Sequence, residues 1–109
     1  ALGGHYVTGH VDGVGQLLAR RDDARSVRME FQVPAGLAHY VARKGSICVD
    51  GVSLTVNGVD GHRFDVNLVP HTLAVTTLGE LRPGARVNIE IDTMARYVER
   101  LLGAEQPLK

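Results

Sequence analysis

Apolar and polar positions alternate with a period of two along three stretches of the chain. Val27, Met29, Phe31 and Val33 are separated by Arg28, Glu30 and Gln32. Phe64, Val66 and Leu68 are separated by Asp65 and Asn67, and Val87, Ile89 and Ile91 alternate with Arg86, Asn88 and Glu90. Successive side chains of an extended chain point to opposite sides, so each stretch is predicted to be a strand with one buried face. Further apolar runs at Tyr6 to Leu18, Ile47 to Val49 and Val52 to Val59 bring the expected number of strands to about six. Asp12-Gly13, Asp50-Gly51, Asp60-Gly61 and Pro83-Gly84 supply turn residues between them. Short strands punctuated in this way form an antiparallel sandwich or barrel.

Two segments carry a helical period instead. Pro34 suits the first turn of a short helix, in which Leu37, Tyr40 and Val41 repeat every three to four residues before Gly45. The second is longer: Asp92 or Thr93 caps it, Met94, Tyr97, Val98, Leu101 and Leu102 form one apolar stripe, and Gly103 stops it. Arg96, Glu99 and Arg100 are expected to face water. The stripe would pack either on the strands or on another subunit.

With 109 residues the chain is expected to form one core, burying roughly two-thirds of its unfolded surface. Lys plus Arg and Asp plus Glu both total 12, so no global field draws it to nucleic acid or to an anionic membrane. With two Phe, three Tyr and no Trp, it also lacks the aromatic platforms on which single-stranded nucleic acid stacks. A nucleic-acid-binding small barrel is therefore disfavoured. One cysteine cannot form an intrachain disulfide, and no signal-like or membrane-length apolar run occurs, which makes the cytosol the expected compartment. The start at Ala1-Leu2-Gly3, without an initiator Met, suggests a piece of a longer polypeptide.

Candidate chemistry concentrates between Lys44 and Val56, where a lysine, a carboxylate and two hydroxyls interrupt apolar sequence. The Lys44 ammonium could meet a polar ligand edge while its stem covers apolar surface, or simply be solvated at a helix end. Asp50 belongs to an Asp-Gly pair, a common turn. Ser53 and Thr55 lie two apart, so on a strand they share a face opposite Leu54, with Val52, Leu54 and Val56 supplying the apolar side. Such hydroxyls, able to donate and accept, suit a polyhydroxylated or heteroaromatic ligand, although a solvent-facing strand has the same pattern. His5 and His10 are flanked by Gly3, Gly4 and Gly9, which allow close approach of backbone to a ligand. Their spacing is not that of a helical i,i+4 pair, and no cysteine or acidic cluster completes four ligands, so no metal site is assigned. Pro70-His71-Thr72 reads as a loop opening a short helix, whose backbone donors could meet carbonyl oxygens. Asp92 reads first as a helix N-cap. His39 and His62 are expected at the surface.

Four blocks occur in one order: Gly3-Gly-His-Tyr-Val-Thr-Gly-His-Val-Asp-Gly13, Lys44-Gly-Ser-Ile-Cys-Val-Asp-Gly-Val-Ser-Leu-Thr-Val56, Leu68-Val-Pro-His-Thr-Leu73 and Asn88-Ile-Glu-Ile-Asp92. Together they resemble the C-terminal lumazine-binding half of the riboflavin synthase family, from about Leu2 to Leu102. The resemblance implies an all-β, six-stranded antiparallel Greek-key barrel over residues 1–92, with short helices, and a terminal helix and tail over 93–109 acting as a trimerisation element. It implies binding of 6,7-dimethyl-8-ribityllumazine and riboflavin. The reaction it implies is dismutation of two lumazines to riboflavin and 5-amino-6-ribitylaminouracil, by a transferase that needs no metal, flavin or nicotinamide cofactor.

The resemblance also implies a substrate-binding set: Gly9, Val11, Lys44, Asp50, Ser53, Leu54, Val69, Pro70, His71, Thr72, Leu73 and Ala74. His10 and Thr55 would assist proton transfer, while His5 and Asp92 would line the cleft. His10 alternatively serves as a structural histidine bonded to backbone. In the family the reacting pair lies between the N-terminal barrel of one subunit and the C-terminal barrel of another. The N-terminal repeat there carries a cysteine at the place of Ser53, and Cys48 is not its counterpart. This chain is thus expected to be half of a site, partnered by an N-terminal barrel in a homotrimer. The rival reading is a non-catalytic lumazine- or flavin-binding antenna protein.

Overall fold

The three alternating stretches become central strands of one sheet. In the computed structural model, which describes residues 9–103, they are β2 (Ser26–Gln32), β6 (Arg63–Leu68) and β7 (Arg86–Ile91); the others are β1 (Gly13–Asp23), β3 (Ser46–Val49), β4 (Val52–Thr55) and β5 (Gly58–Asp60). All ladders are antiparallel and the order is β4-β3-β7-β1-β2-β6-β5. The connections β2 to β3 and β6 to β7 cross intervening strands, in the manner of a Greek key. Pairing Val27 with Leu68, Met29 with Val66 and Phe31 with Phe64 brings six apolar side chains onto one face, none more than 7% exposed. The two phenylalanine rings stack with centroids 5.4 Å apart, an arrangement that adds to their area burial.

β4 and β5 sit at opposite ends of the strand order, yet only Val56 and Asn57 separate them. Three Cα steps span no more than about 11 Å, so the sheet has to curl until its ends meet. Val56 donates its N–H to Gly45 O and accepts that of Lys44, both at 2.8 Å, and one residue later Asn57 N–H reaches Asp65 O at 2.8 Å. The chain thereby changes partner, from the approach to β3 on one side to β6 on the other. This is why seven strands stand where about six were expected. The run from Val52 to Val59 is continuous in apolar content, and the exchange of ladder partner within it leaves no mark on hydropathy.

Two other expectations need correction. Asp12-Gly13 is not a turn: Asp12 donates its N–H to Ile89 O at 2.8 Å and Gly13 opens β1, paired with Ile89. β1 also runs past Leu18 to Asp23 through Ala19-Arg20-Arg21-Asp22, paired with β2 as far as Asp23 opposite Ser26. Polar residues there hid the strand, since no side chain from Ala19 to Asp23 is buried. The Tyr6 to Thr8 part of the expected first run lies outside the described residues. The remaining turns fall where expected, and at the β3–β4 hairpin both Asp50 (φ 48°) and Gly51 (φ 82°) take the left-handed conformation that a two-residue primed turn requires.

Helical segments fill two connections between strands and follow the last strand. A 3₁₀ turn spans Ala35–Tyr40, with Pro34 just before it and Leu37, Tyr40 and Val41 against the core. Helix α1 (Pro70–Val75) and a 3₁₀ turn (Thr77–Glu80) follow β6, the latter driving Leu78 into the core. Helix α2 (Thr93–Gly103) ends the described chain. Asp92 caps it, its Oδ1 accepting Met94 N–H at 3.0 Å.

Candidate ligand site on the outer face

The β3–β4 hairpin sorts its side chains by register. Ile47 pairs with Leu54 and with Ile91, and all three enter the core. The alternate positions therefore point outward: Ser46 opposite Thr55, and Ser53 opposite Cys48, which is itself opposite Glu90. Ser53 and Thr55 thus share the face opposite Leu54, as the spacing predicts. Thr55 is exposed. Ser53 is only 8% exposed, and its Oγ has no hydrogen-bond partner among the described residues. Burying a hydroxyl unbonded is unfavourable by about 1–3 kcal/mol, so this atom is suited to a partner from outside the chain.

β4 is bonded to β3 alone. Continuing the β5–β6 register, in which Gly58 faces Asp65, sets Leu68 level with Thr55 and Pro70 level with Ser53. There β6 is paired with β2 only, Val27 facing Leu68, so the outer edge of β4 and the end of β6 that leads into α1 both lack a strand partner on that side among the described residues. Val69 precedes that helix and is 55% exposed. Pro70, His71 and Ala74 are exposed, Thr72 is half-buried, and Leu73 turns toward the core. Lys44, at φ 68°, bonds to Val56 O just beyond Thr55 and leaves its side chain exposed.

Gly9, Val11, Cys48 and Glu90 line a pocket of about 110 Å³ with Gly51, Asn88 and Ile89. Ser53 stands next to this pocket through its pairing with Cys48. Val11 is 53% exposed, so it and Val69 present apolar surface beside the hydroxyl row. Burial holds the Cys48 thiol above its ordinary range, helped by the Glu90 and Asp50 carboxylates and opposed by a backbone hydrogen bond from Gly51. The neutral thiol is a poor nucleophile. Larger hollows, of about 470 Å³ beside Gln16 and Gln32 and about 270 Å³ beside Val59 and Arg63, contain none of the candidate residues.

Other candidates are spoken for by the fold. Asp50 is the turn residue, and its Oδ1 also accepts Asn88 N–H at 2.6 Å, so one residue closes the hairpin and ties it to β7. Leu54 points inward. Asp92 is the helix cap. His10 is exposed, and His5 lies outside the described residues. His39 and His62 are at the surface as expected. Among the described residues no three His, Cys, Asp or Glu side chains gather as a metal cluster.

Arg96 is exposed, as the helical period suggests, yet it also anchors the helix. Its guanidinium donates to Asp12 Oδ1 at 2.6 Å and lies 5.0 Å from the centre of the Tyr40 ring, while Asp12 Oδ2 accepts Ile91 N–H at 2.7 Å. This latch docks α2 by its polar side and leaves Met94, Tyr97, Val98, Leu101 and Leu102 between 46% and 65% exposed. Sequence reasoning missed Asp12 and Arg96, 84 positions apart, and Glu90, whose alternation alone assigned it to solvent.

A small curled antiparallel sheet whose two ends meet, with short helices in its connections, defines a small β-barrel domain. The chain belongs to the lumazine-binding domain family, which matches residues 8–92. Among curated relatives, it is similar to the riboflavin synthase of Brucella abortus (strain 2308), 52% identical over 100 residues, covering 92% of this chain and 50% of that protein. The riboflavin synthase of Photobacterium phosphoreum is 47% identical over 106 residues, covering 97% of this chain and 49% of that protein. The chain spans about half the length of the curated relatives it matches. Among solved structures, LumP complexed with 6,7-dimethyl-8-(1'-D-ribityl) lumazine has the same fold, with a TM-score of 0.77 at 22% identity over 82% of this chain and 50% of that one. LumP complexed with riboflavin gives 0.77 at 23% identity, over 84% of this chain and 50% of that one.

Proposed function

We propose that this chain is the C-terminal substrate-binding half of a riboflavin synthase. Its ligand would be 6,7-dimethyl-8-ribityllumazine, and the parent protein would convert two such molecules to riboflavin and 5-amino-6-ribitylaminouracil. The observation that carries this reading is the Ser53 hydroxyl, buried yet unbonded on the outer face of the β3–β4 hairpin. The reading also draws on the identity to riboflavin synthases over nearly the whole chain.

A lumazine needs a flat apolar slot with polar ends, the usual composition of a small-molecule site. Val11 and Val69 would flank the ring. Ser53, Thr55 and the Lys44 ammonium would meet its polar edges and the ribityl hydroxyls. His10, exposed beside this face, would take the proton of the acidic ring methyl, with Thr55 assisting. The remaining demand is a second lumazine held face to face with the first, which turns a bimolecular encounter into a positioned one. One barrel supplies one slot, so the partner would be an N-terminal barrel of a neighbouring subunit, in a cytosolic homotrimer joined through α2. No step of this scheme calls for a metal or a redox cofactor.

Fluorescence titration of the isolated chain with 6,7-dimethyl-8-ribityllumazine or riboflavin tests the reading. Saturable binding, weakened in Thr55→Val, is expected. A folded chain that binds neither ligand would overturn it.

A further inference from the structure

Glu90 is a buried carboxylate in an unusual position. Its neighbours Ile89 and Ile91 enter the core, so it points to the outer face, yet it is only 6% exposed. Glutamates are seldom buried without a specific partner. Here Oε1 accepts the N–H of Gly9 at 3.1 Å. Gly9 has φ +81°, and a Cβ added there would meet nothing within 4 Å. The glycine therefore answers a demand for a left-handed turn, not for space.

Three residues on, Asp12 is fastened to the same strand, by its N–H to Ile89 O at 2.8 Å and by its carboxylate to Ile91 N–H at 2.7 Å. The segment from Gly9 to Asp12 thus lies along β7 between two carboxylate fastenings. Asp12 holds the end that leads into β1. Glu90 holds the other end, and His10 and Val11 lie in the chain between them.

We propose that Glu90 is a positioning residue: by holding the Gly9 amide it fixes the path of Gly9–Val11 over the outer face, and so sets where His10 and Val11 stand relative to Ser53. At 3.1 Å the bond is of ordinary length, so what this positioning asks of residue 90 is an acceptor oxygen at this reach. The consequence for His10 rests on the ligand-site reading above; the tether itself does not.

Cys48 is a reporter of the tether, since it is the single cysteine, is 2% exposed, and lines the pocket that Gly9 and Val11 wall. Glu90→Gln keeps an acceptor oxygen at the same reach, whereas Glu90→Ala keeps none. Both remove the Glu90 charge, which adds to burial in holding the thiol protonated, so the difference between them reads how far the pocket around the thiol has opened. With folding checked by circular dichroism, iodoacetamide should modify Cys48 in Glu90→Ala about tenfold faster than in Glu90→Gln, as loss of one hydrogen bond implies. In the full-length parent, Glu90→Ala should lower kcat by about 10²-fold, the effect of misplacing a catalytic group by about an ångström, with KM changing far less. Glu90→Gln should restore most of it.

Equal modification of the Ala and Gln variants would overturn the tether, as would wild-type kcat in an active Glu90→Ala parent. Should Glu90→Ala fail to fold, Glu90→Asp replaces it, keeping charge but losing reach; modification no faster than wild type would then overturn the proposal. A wild-type parent that forms no riboflavin would sink the ligand-site reading instead, and the modification rates would still decide the tether.

Discussion

At the residue scale, Ser53 and Thr55 share one face of β4 but sit in different environments, which gives them different signatures. Ser53→Ala removes a buried, unbonded hydroxyl, and should leave the melting temperature unchanged or raise it, because the folded state sheds a penalty of about 1–3 kcal/mol. Ligand affinity should fall in the same variant. Leu54→Ala empties a core position on the opposite face and should lower stability by about 2–5 kcal/mol, with affinity falling only in proportion to unfolding. Thermal melts and titration separate the two. Cys48 gives a third signature. Its thiol is held above the ordinary range in the fold, so the folded state retains a proton that the unfolded chain gives up first. The resulting stabilisation is complete below the ordinary thiol range and is lost as pH rises through the folded value. Denaturation midpoints followed into alkaline solution should drop less steeply in Cys48→Ala than in wild type. The sharing of a face by Ser53 and Thr55 was legible from the period of two. Burial of Ser53 was not, because it depends on neighbours that come from β3 and β7.

At the scale of elements, the sequence revealed what depends on local pattern and concealed what depends on partners. Strands that bury one face wrote themselves as alternation, and Asp92 before Met94 announced its cap. The polar half of β1, the change of partner at Val56 and Asn57, and the use of Asp12 were hidden, since each is a relation between segments distant in the chain. The Asp12–Arg96 latch shows how far such a relation reaches. With Asp12 bonded to Ile91 N–H and to the Arg96 guanidinium, and Arg96 over Tyr40, the latch links the start of β1, the end of β7 and α2. A charge-assisted bond of this kind is worth about 1.5–3 kcal/mol where both partners are sheltered, and less here because Arg96 is 43% exposed. Arg96→Ala should therefore loosen α2 without unfolding the barrel. Hydrogen exchange should show faster exchange across Thr93–Gly103 and unchanged protection in β2, β6 and β7; equal acceleration in both would mean that the latch holds the whole fold.

At the scale of the whole molecule, the latch has a geometric consequence. By docking the polar side of α2 it leaves five large apolar side chains, Met94, Tyr97, Val98, Leu101 and Leu102, in solvent, and an apolar stripe of that kind marks an interaction surface. In the proposed parent this stripe would join subunits and so bring the slot beside Ser53 up to a second, unlike barrel. Two consequences can be separated. The isolated chain should bind 6,7-dimethyl-8-ribityllumazine without forming riboflavin, because a second substrate has no fixed place on it. In the proposed parent, Val98→Glu and Leu101→Glu would put charges on the face proposed to join subunits, so light scattering should report loss of the proposed trimer. Riboflavin formation, followed by absorbance, should fall with the trimer, while binding of one lumazine per C-terminal barrel persists. A parent that keeps its mass with both substitutions would remove α2 from the interface, and turnover by the 109-residue chain alone would show that one barrel suffices for the reaction.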